Sequence, residues 1–254
     1  MRRFLYVAGL PVLLLLGWFV LSSGSENFYA PPLRDILRAF VDTWTPERLR
    51  ADVLPSLVRL FAGYVLAALL GVALGVAIGL NRRLRATVEP VLEFFRAIPP
   101  PVLVPVIMLF AGIGDGMKVI VIVFGCVWPI LLNTVEGVRA VDGVQLDTAK
   151  AYGVRGAARI RTVILPSASP QIAAGLRQAL SIAIILMVIS EMFAASNGLG
   201  FTIVQFQRSF AIPEMWSGII LLGLLGFALS LLFRLAEGRA LRWYHGLRDA
   251  QRRS

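Results

Sequence analysis

Side chains that usually carry catalysis or bind metals are scarce in this sequence. It contains a single histidine, His245, and a single cysteine, Cys126, which lies inside an apolar run. Neither has a second His or Cys nearby, so we expect no metal site, and Cys126 should be a small buried apolar residue. The sequence has no G-x-x-x-x-G-K-[ST] loop for nucleotide phosphates and no Ser–His–Asp or carboxylate–His cluster. We therefore expect neither an ATPase site nor an intramembrane catalytic site in this chain.

The composition points to a membrane protein. Of the 254 residues, 57% are hydrophobic and 16% are charged, and the mean hydropathy is +0.77. Soluble domains carry roughly a quarter charged residues. The net charge of +10 would suggest nucleic acid as the partner of a soluble protein. Here the basic residues lie between and after apolar stretches, so we expect a lipid membrane and no nucleic acid.

Six apolar stretches predict an all-α membrane protein with six transmembrane helices. The third is broken, and the first is longer than the apolar core of a signal peptide, which favours an uncleaved span. The predicted spans are Met1–Ser23, Ser56–Leu80, Val88–Arg96 with Val102–Phe110, Met117–Val135, Ala168–Ala195, and Glu214 or Met215 to Ala236.

Basic residues predict the orientation of these spans. Arginines lie at the start of the first span, follow the second and the sixth, and recur in the long segment between the fourth and the fifth. Because positively charged loops stay inside, this pattern predicts that both termini are inside. The polar segment 23–55 is then external. Its amphipathic helix, Leu33–Trp44, is expected either to rest on the membrane surface or to contact a partner.

The basic segment from Asp147 to Pro166 is rich in small residues. Asp147 to Gly153 is predicted to be a short helix that Gly153 ends with a positive φ. Ala149, Ala151 and Gly153 would leave a surface nearly bare of side chains, which another protein's backbone could approach closely. The alternative is a basic amphipathic loop lying on anionic lipid headgroups.

The spacing of this segment resembles the cytoplasmic loop of binding-protein-dependent ABC importer permeases. The family pattern is E-A-A, three residues, G, nine residues, I, one residue, L-P. Asp147 and Thr148 replace the first Glu and Ala of that pattern. The matching positions here are Asp147, Thr148, Ala149, Gly153, Val163, Leu165 and Pro166.

Further motifs resemble one branch of that family, the nitrate, sulfonate and taurine type. They stand in the order typical of the branch: Ser56-Leu57-x-Arg59, Arg96-Ala97-Ile98-Pro99, Phe110-x-Gly112-x-Gly114, Asn133-Thr134 and Gly198-Leu199-Gly200. The resemblance implies a type I ABC importer transmembrane domain, N-in and C-in. Residues 1–254 would form a single permease domain, with the family core at about 56–240 and a cytoplasmic coupling loop at 137–167.

The resemblance also implies partners and a location. The coupling loop would dock on an ABC ATPase subunit, which binds the ATP and Mg, so we expect no cofactor on this chain. A second permease copy, as a homodimer, and an external substrate-binding protein would complete an importer in the inner (plasma) membrane of a bacterium. Sulfonates, nitrate, taurine and pyrimidine-like vitamin precursors all remain open as substrates. A non-transport membrane anchor or assembly subunit is the alternative function.

Two features inside the spans are candidates for the translocation path or its gate. Ile98, Pro99, Pro100 and Pro101 interrupt the third span, and broken helices often line transport paths. The alternative is a structural kink. Arg59 and Glu191 lie within a few turns of the same outer interface at about 1.5 Å per residue, so we predict an ion pair that braces an outer gate. The alternative is that Arg59 reaches the headgroups and Glu191 is solvated.

Overall fold

The structure, a computed structural model, describes residues 2–193, 195–244 and 246. All regular secondary structure in these residues is helical, as the sequence predicts. The α-helices are α1 (Arg2–Ser22), α2 (Leu33–Thr43), α3 (Pro46–Arg48), α4 (Leu54–Leu80), α5 (Arg82–Ala97), α6 (Val104–Ala111), α7 (Asp115–Arg139), α8 (Gly143–Ala151), α9 (Gly156–Arg159), α10 (Leu165–Phe193), α11 (Leu199–Arg208) and α12 (Ile212–Ala240).

Four helical stretches in the described residues are long and apolar enough to cross a membrane. Two of them are composite, because π-helical turns at Leu49–Val53 and Ile160–Ile164 join α3 to α4 and α9 to α10. The four are Pro46–Leu80, Asp115–Arg139, Gly156–Phe193 and Ile212–Ala240. The bent pair α5 and α6 would make a fifth. The predicted first span corresponds to α1, while Met1 lies outside the described residues.

The contacts of the glycines on α4 show how this helix packs against α7. A Cβ at Gly71 would lie 2.8 Å from Cγ2 of Ile130, and one at Gly75 would lie 2.6 Å from Cβ of Thr134. The bare surface of α4 thus lets α7 approach closely, as expected for small residues one turn apart in lipid. The contact partners advance along both helices together, so α4 and α7 run in the same direction.

The next two long helices alternate in direction. Gly175 of α10 packs against Asn133, whereas Gly125 packs against Leu186, so α10 runs antiparallel to α7. Arg177 of α10 forms an ion pair with Glu237, near the end of α12. The ends of α4, α7 and α12 and the start of α10 therefore lie together, and we call this the basic end of the bundle. Its arginines include Arg82, Arg139, Arg161 and Arg239.

The hydrophobic core lies where α4, α7 and α10 meet. Its fully buried side chains include Leu60, Ile122, Ile130 and Leu186. Cys126 is also fully buried there, and its thiol donates a hydrogen bond to the Ala179 carbonyl at 3.3 Å. The expectation that Cys126 is a small core residue is confirmed.

The predicted break in the third span is present. Helix α5 ends at Ala97, a 3₁₀ turn covers Pro100–Leu103, and the axis bends by 82°. The prediction that helix resumes at Val102 is wrong, because Val102 belongs to the 3₁₀ turn and α6 begins at Val104. Prolines lack the backbone N–H that a regular α-helix would need here.

Several other boundaries differ from the prediction. The sequence predicts no helix between the fifth and sixth spans, but α11 begins there at Leu199. The fifth and sixth spans begin earlier, at Leu165 and Ile212. The fourth also begins earlier, at Asp115, and extends to Arg139.

The amphipathic helix of the outer segment packs on the bundle. Helix α2 ends at Thr43, and the indole N–H of the following Trp44 donates to Oγ of Ser217 on α12 at 3.1 Å. Ala39 is buried on α2, whereas Leu37 is 50% exposed. The helix therefore does more than rest on a membrane surface.

Candidate functional site

The predicted ion pair between Arg59 and Glu191 is present within one chain. Nη1 of Arg59 lies 2.7 Å from Oε1 of Glu191. Arg59 is 3% exposed and Glu191 is 0% exposed. Both alternatives, a snorkelling arginine and a solvated glutamate, are thus excluded in this structure. The pair joins the start of α4 to the end of α10, at the end of the bundle opposite the basic end.

Glu191 is also held by neutral donors. Oγ of Ser56, one turn before Arg59, lies 2.8 and 2.9 Å from its two carboxylate oxygens. The backbone N–H of Gly200 donates to Oε2 at 3.0 Å. Leu199 N–H donates to Oγ of Ser56 at 2.8 Å. The carboxylate therefore lies at the N-terminus of α11, where free N–H groups and the helix dipole favour negative charge.

Arg59 extends the cluster to α7 and to the loop before α11. Its Nε donates to Oδ1 of Asp115 at 2.8 Å, and its Nη2 donates to Oδ1 of Asn197 at 2.6 Å. Lys118, 3% exposed, lies 3.3 Å from the same Asp115 oxygen. Two cations and two carboxylates thus compensate each other. We call Ser56, Arg59, Asp115, Lys118, Glu191 and Asn197 the polar cluster.

Ser56, Arg59, Lys118 and Glu191 are buried, whereas the Asp115 side chain is 70% exposed. The buried part of the cluster can lock several helices in one arrangement. Removing one partner of a buried ion pair leaves an uncompensated charge and costs about 3–5 kcal/mol. The cluster connects α4, α7, α10 and the loop before α11, so separating these elements would break charged hydrogen bonds.

At the basic end, the predicted coupling helix is α8. It begins at Gly143 rather than Asp147, because the carboxylate of Asp142 caps it by accepting the Val144 N–H at 2.7 Å. Gly153 has φ +73°, as predicted. Around it Val154 N–H donates to the Ala149 carbonyl at 2.8 Å and Gly153 N–H to that of Lys150 at 3.0 Å. These two bonds form a Schellman motif, which ends the helix.

The exposed face of α8 differs from the predicted one. Ala149 is only 6% exposed and packs inside the chain, so it does not belong to a bare outer surface. Val144 and Tyr152 are 72% and 82% exposed, and with Thr148 they lie one turn apart on the same side. Asp147 is also exposed and pairs with Lys150 at 2.8 Å. The face available to a partner therefore carries an aliphatic and an aromatic side chain.

Part of the loop motif lines a groove of about 460 Å³. Thr148, Ala149 and Val163 line it together with Tyr152 and Val154. Leu165 instead faces a cleft next to α4, lined by Val65 and Leu69 among others, and Pro166 is exposed at the start of α10. The groove thus contains Val163 but neither Leu165 nor Pro166. A hydrogen bond from Oγ of Ser167 to Oε1 of Gln145, at 3.0 Å, ties α8 to α10.

A third site lies beside the broken span. A cavity of about 270 Å³ is bounded by Pro100, by Gly125 and Pro129 of α7, and by α10. Ile98, Pro99 and Pro101 are outside its lining, and Ile98 is half-buried. The polar side chains that line the cavity are Arg96, Trp128, Asn133 and Gln178.

Hydrogen-bond donors dominate this cavity. The ring of Trp128 stacks on Phe95 with centroids 5.8 Å apart, which fixes its orientation. Its Nε1 is buried and has no hydrogen-bond partner among the described residues. Arg96 supplies a guanidinium and pairs with Glu93 at 2.5 Å. A buried donor without a partner is unusual, and a bound acceptor would satisfy it.

Sequence reasoning missed several of these residues. Asp115 and Lys118 are not among the residues that the sequence singles out, although their i, i+3 spacing puts them on one helix face. Trp128 and Gln178 drew no attention, although polar side chains at mid-span are often functional. Asn133 was noted only as part of a motif.

Comparisons with known proteins identify the family. The family model described as "Binding-protein-dependent transport system inner membrane component" matches residues 67–242. This chain belongs to that family of ABC importer permeases. It is therefore a multi-pass protein of the inner membrane, and the expected resemblance is confirmed.

Relatives of the permease include members of the expected branch. The taurine transport system permease protein TauC of Escherichia coli is 30% identical over 94% of this chain and 90% of its own length. A putative aliphatic sulfonates transport permease protein of Bacillus subtilis is 30% identical over 74% of this chain and 68% of its own length. A probable ABC transporter permease protein of Brucella melitensis is 30% identical over 89% of this chain and 92% of its own length.

Solved structures give the same fold. A chain of the MetNI methionine ABC transporter in an inward-facing conformation matches the permease with a TM-score of 0.64 at 20% identity. The match covers 76% of the permease and 94% of that chain. An amino acid ABC transporter solved with histidines matches with a TM-score of 0.57 at 17% identity, over 86% of the permease and 99% of that chain. The permease thus has the fold of an ABC importer transmembrane domain.

Proposed function

We propose that this permease forms the translocation path of an ATP-driven importer and that α8 couples it to a separate ATPase subunit. The observation that carries the proposal is the exposed face of α8. Val144 and Tyr152 are large, apolar and exposed on a helix that protrudes at the basic end. Exposed apolar side chains on an otherwise basic surface favour a protein partner over lipid headgroups. ATP and Mg would bind only to that partner.

Copurification tests this proposal directly. We expect the cognate ATPase to copurify with the permease and to be lost when Tyr152 is replaced by Ala. Val41→Ala is the matched control, since Val41 is 75% exposed on α2 and lies far from α8 in the bundle. Deletion of residues 147–153 should abolish ATP-driven uptake while the protein stays in the membrane. An ATPase that binds Tyr152→Ala and the deletion variant as tightly as the unaltered chain would refute the coupling role.

The cavity beside the proline break is proposed to be part of the path. At about 1.5 Å per residue, Trp128 lies about 20 Å from the first residue of α7 and about 17 Å from the last, near mid-depth. Transporter sites often form at this depth next to broken helices. Its donors, Arg96, Trp128 and Gln178, suit a small solute with an anionic group. The taurine and sulfonate permeases among the relatives are consistent with such a solute.

The proposed arrangement in the membrane is six spans with both termini inside. Parallel α4 and α7 require the bent pair α5 and α6 to return the chain across the membrane between them. Arginines at the basic end would then face the cytoplasm. Helix α1 would be the sixth span, and an edge-on contact between Trp18 and Trp216 supports an outward location of its C-terminal end, with ring centroids 6.2 Å apart.

The polar cluster is proposed to brace the outer gate. It joins α4, α7 and α10 at the end of the bundle opposite α8. A second permease copy would complete the path, and an external binding protein would deliver the solute above the cluster. Inward movement of α8 after ATP binding would then be transmitted along α10 to Glu191.

A membrane anchor without transport activity is the rival function. The names of the relatives do not favour it, because they describe transport permeases. Reconstitution with the ATPase and the binding protein separates the two functions. ATP-dependent uptake into vesicles supports the importer, and ATPase binding without uptake supports the anchor.

A further inference from the structure

A second polar cavity lies at the basic end of the bundle and is separate from the proposed path. It has a volume of about 410 Å³ and lies between the junction of α4 and α5, the end of α7, the coupling helix α8 and the segment that enters α10. Its apolar lining includes Gly79, Leu80, Val138 and Ile164. Five of the residues that line it are basic: Arg82, Arg85, Arg139, Lys150 and Arg159.

The charges of this cavity are only partly compensated. Arg139 pairs with Glu136 at 2.5 Å, and Lys150 pairs with Asp147 at 2.8 Å. In the described part of the chain, no carboxylate forms an ion pair with Arg82, Arg85 or Arg159. No acidic residue is among those that line the cavity. Three like charges that share one cavity repel each other unless an anion joins them.

Arg159 adds a second, independent observation. Its Nε is buried and has no hydrogen-bond partner within the residues that the structure describes. A guanidinium carries five N–H donors and no acceptor, so only an acceptor entering the cavity can satisfy this group. Phosphate oxygens match the planar fork of an arginine, because two parallel hydrogen bonds can form.

We propose that this cavity binds a phosphate group, supplied by the headgroup of an acidic phospholipid or by free phosphate. The apolar lining from Leu80 and Val138 at the end of two spans would lie at the height of the headgroups, and basic pockets at this level bind acidic lipids. A bound phosphate would connect Arg82 and Arg85 after α4 with Lys150 of α8 and Arg159 of α9. It would thereby fix the coupling helix relative to the bundle.

The test is lipid binding to the purified, delipidated full-length permease, measured by native mass spectrometry. The probes are dioleoyl phosphatidylglycerol, dioleoyl phosphatidylcholine and inorganic phosphate. We expect phosphatidylglycerol to bind Arg159→Gln and Arg82→Gln about fivefold more weakly than the unaltered chain, the loss expected for one basic contact near the membrane surface. Arg161→Gln and Arg83→Gln are matched controls with the same charge change, because neither residue lines the cavity.

The outcomes distinguish a lipid headgroup from free phosphate as the source of the bound group, and they can overturn the proposal. The lipid headgroup is the ligand if phosphatidylglycerol binding depends on Arg159 and Arg82 in this way and millimolar inorganic phosphate does not displace it. Displacement by inorganic phosphate supports free phosphate as the ligand. Equal affinities of the cavity variants and their controls, or equal binding of phosphatidylcholine and phosphatidylglycerol, overturn the proposal. Because Arg82 is exposed, Arg82→Gln remains a valid test if Arg159→Gln does not fold.

Discussion

Gly198 lies directly against the carboxylate of Glu191. A Cβ at Gly198 would be 2.5 Å from Cδ of Glu191 and 2.6 Å from each of its oxygens. The φ of Gly198 is +121°, which side chains of L-residues rarely adopt. The absence of a side chain at Gly198 therefore leaves room for the buried carboxylate. Gly200, in the same motif, donates one of the N–H hydrogen bonds to that carboxylate.

Replacing Gly198 with Ala should destabilise the permease and impair transport. The methyl group would displace Glu191 from Arg59 and would add backbone strain, so we expect a loss of more than about 2 kcal/mol in unfolding free energy. Thermal unfolding in detergent measures this loss. Gly112→Ala is the matched control, since Gly112 has φ +71° but nothing within 4 Å of its Cβ. Equal losses for the two variants would mean that contact with Glu191 is not important.

Neutralising one member of the Arg59–Glu191 pair should cost more than neutralising both. Arg59→Gln or Glu191→Gln leaves a buried charge without its main partner, at about 3–5 kcal/mol. The double variant restores the balance and should recover part of both stability and uptake. This design is cleaner than exchanging the charges, because Arg59→Glu would place a carboxylate beside Asp115.

Glu136 and Arg139 provide the control for this cycle. Their ion pair lies within α7, and the two side chains are 56% and 42% exposed. Exposed pairs contribute about 0–1 kcal/mol, so Glu136→Gln should change stability little. A double variant Arg59→Gln/Glu191→Gln that is no better than the worse single variant would show that the two residues are not coupled.

Gly153→Val should uncouple the ATPase without preventing membrane insertion. Gly153 has φ +73° and open space around its Cβ position, so only backbone strain of about 1 kcal/mol or more opposes the substitution. That strain acts on the Schellman motif that ends α8. Solute-stimulated ATPase activity of the assembled complex is the measurement. Gly143→Val is the control at the other end of α8, where the Cβ position is also open and φ is not positive. Normal stimulation in Gly153→Val would contradict this role.

Labelling of a cysteine at position 102 should show whether the path is hydrated beside the proline break. Val102 is 64% exposed beside the break, so small aqueous thiol reagents should label it if the path is hydrated there. Trapping the ATP-bound state should change the labelling rate. Cys126→Ala removes the native thiol, and Val104→Cys, at a position that is 0% exposed, is the unreactive control. Complete protection of Val102→Cys in both states would favour a structural kink.

Trp128→Phe should weaken uptake while leaving the fold intact. Phe keeps the stacking on Phe95 but removes the N–H that has no partner within the described residues. If that N–H binds the solute, the KM of uptake should rise about tenfold, as expected for one hydrogen bond to a charged group. The solute is the ligand that copurifies with the binding protein, identified by mass spectrometry. Trp216→Phe is the control, since its Nε1 donates to the Tyr29 carbonyl at 3.1 Å. An unchanged KM in Trp128→Phe would remove Trp128 from the path.

Local patterns in the sequence were sufficient for the long apolar helices and for the end of α8. Apolar stretches predict spans because every backbone group in lipid must be paired within a helix. Three prolines predict the break because they lack N–H groups, and a glycine after the basic helix predicts its left-handed end. The Arg59–Glu191 pair was also accessible, since two charges at similar depth in lipid strongly favour each other.

Other features depend on which helices pack together, and only the tertiary structure decided them. Ala149 faces inward and Tyr152 outward because α8 lies against the start of α10, which no local pattern reveals. The polar cluster needs Asp115 and Asn197 to meet Arg59 from segments 56 and 138 positions away in the chain. The cavity at Arg159 exists because parallel α4 and α7 bring their basic ends together. Sequence determines which charges enter the bundle, whereas helix packing decides which of them meet and which are left for a ligand.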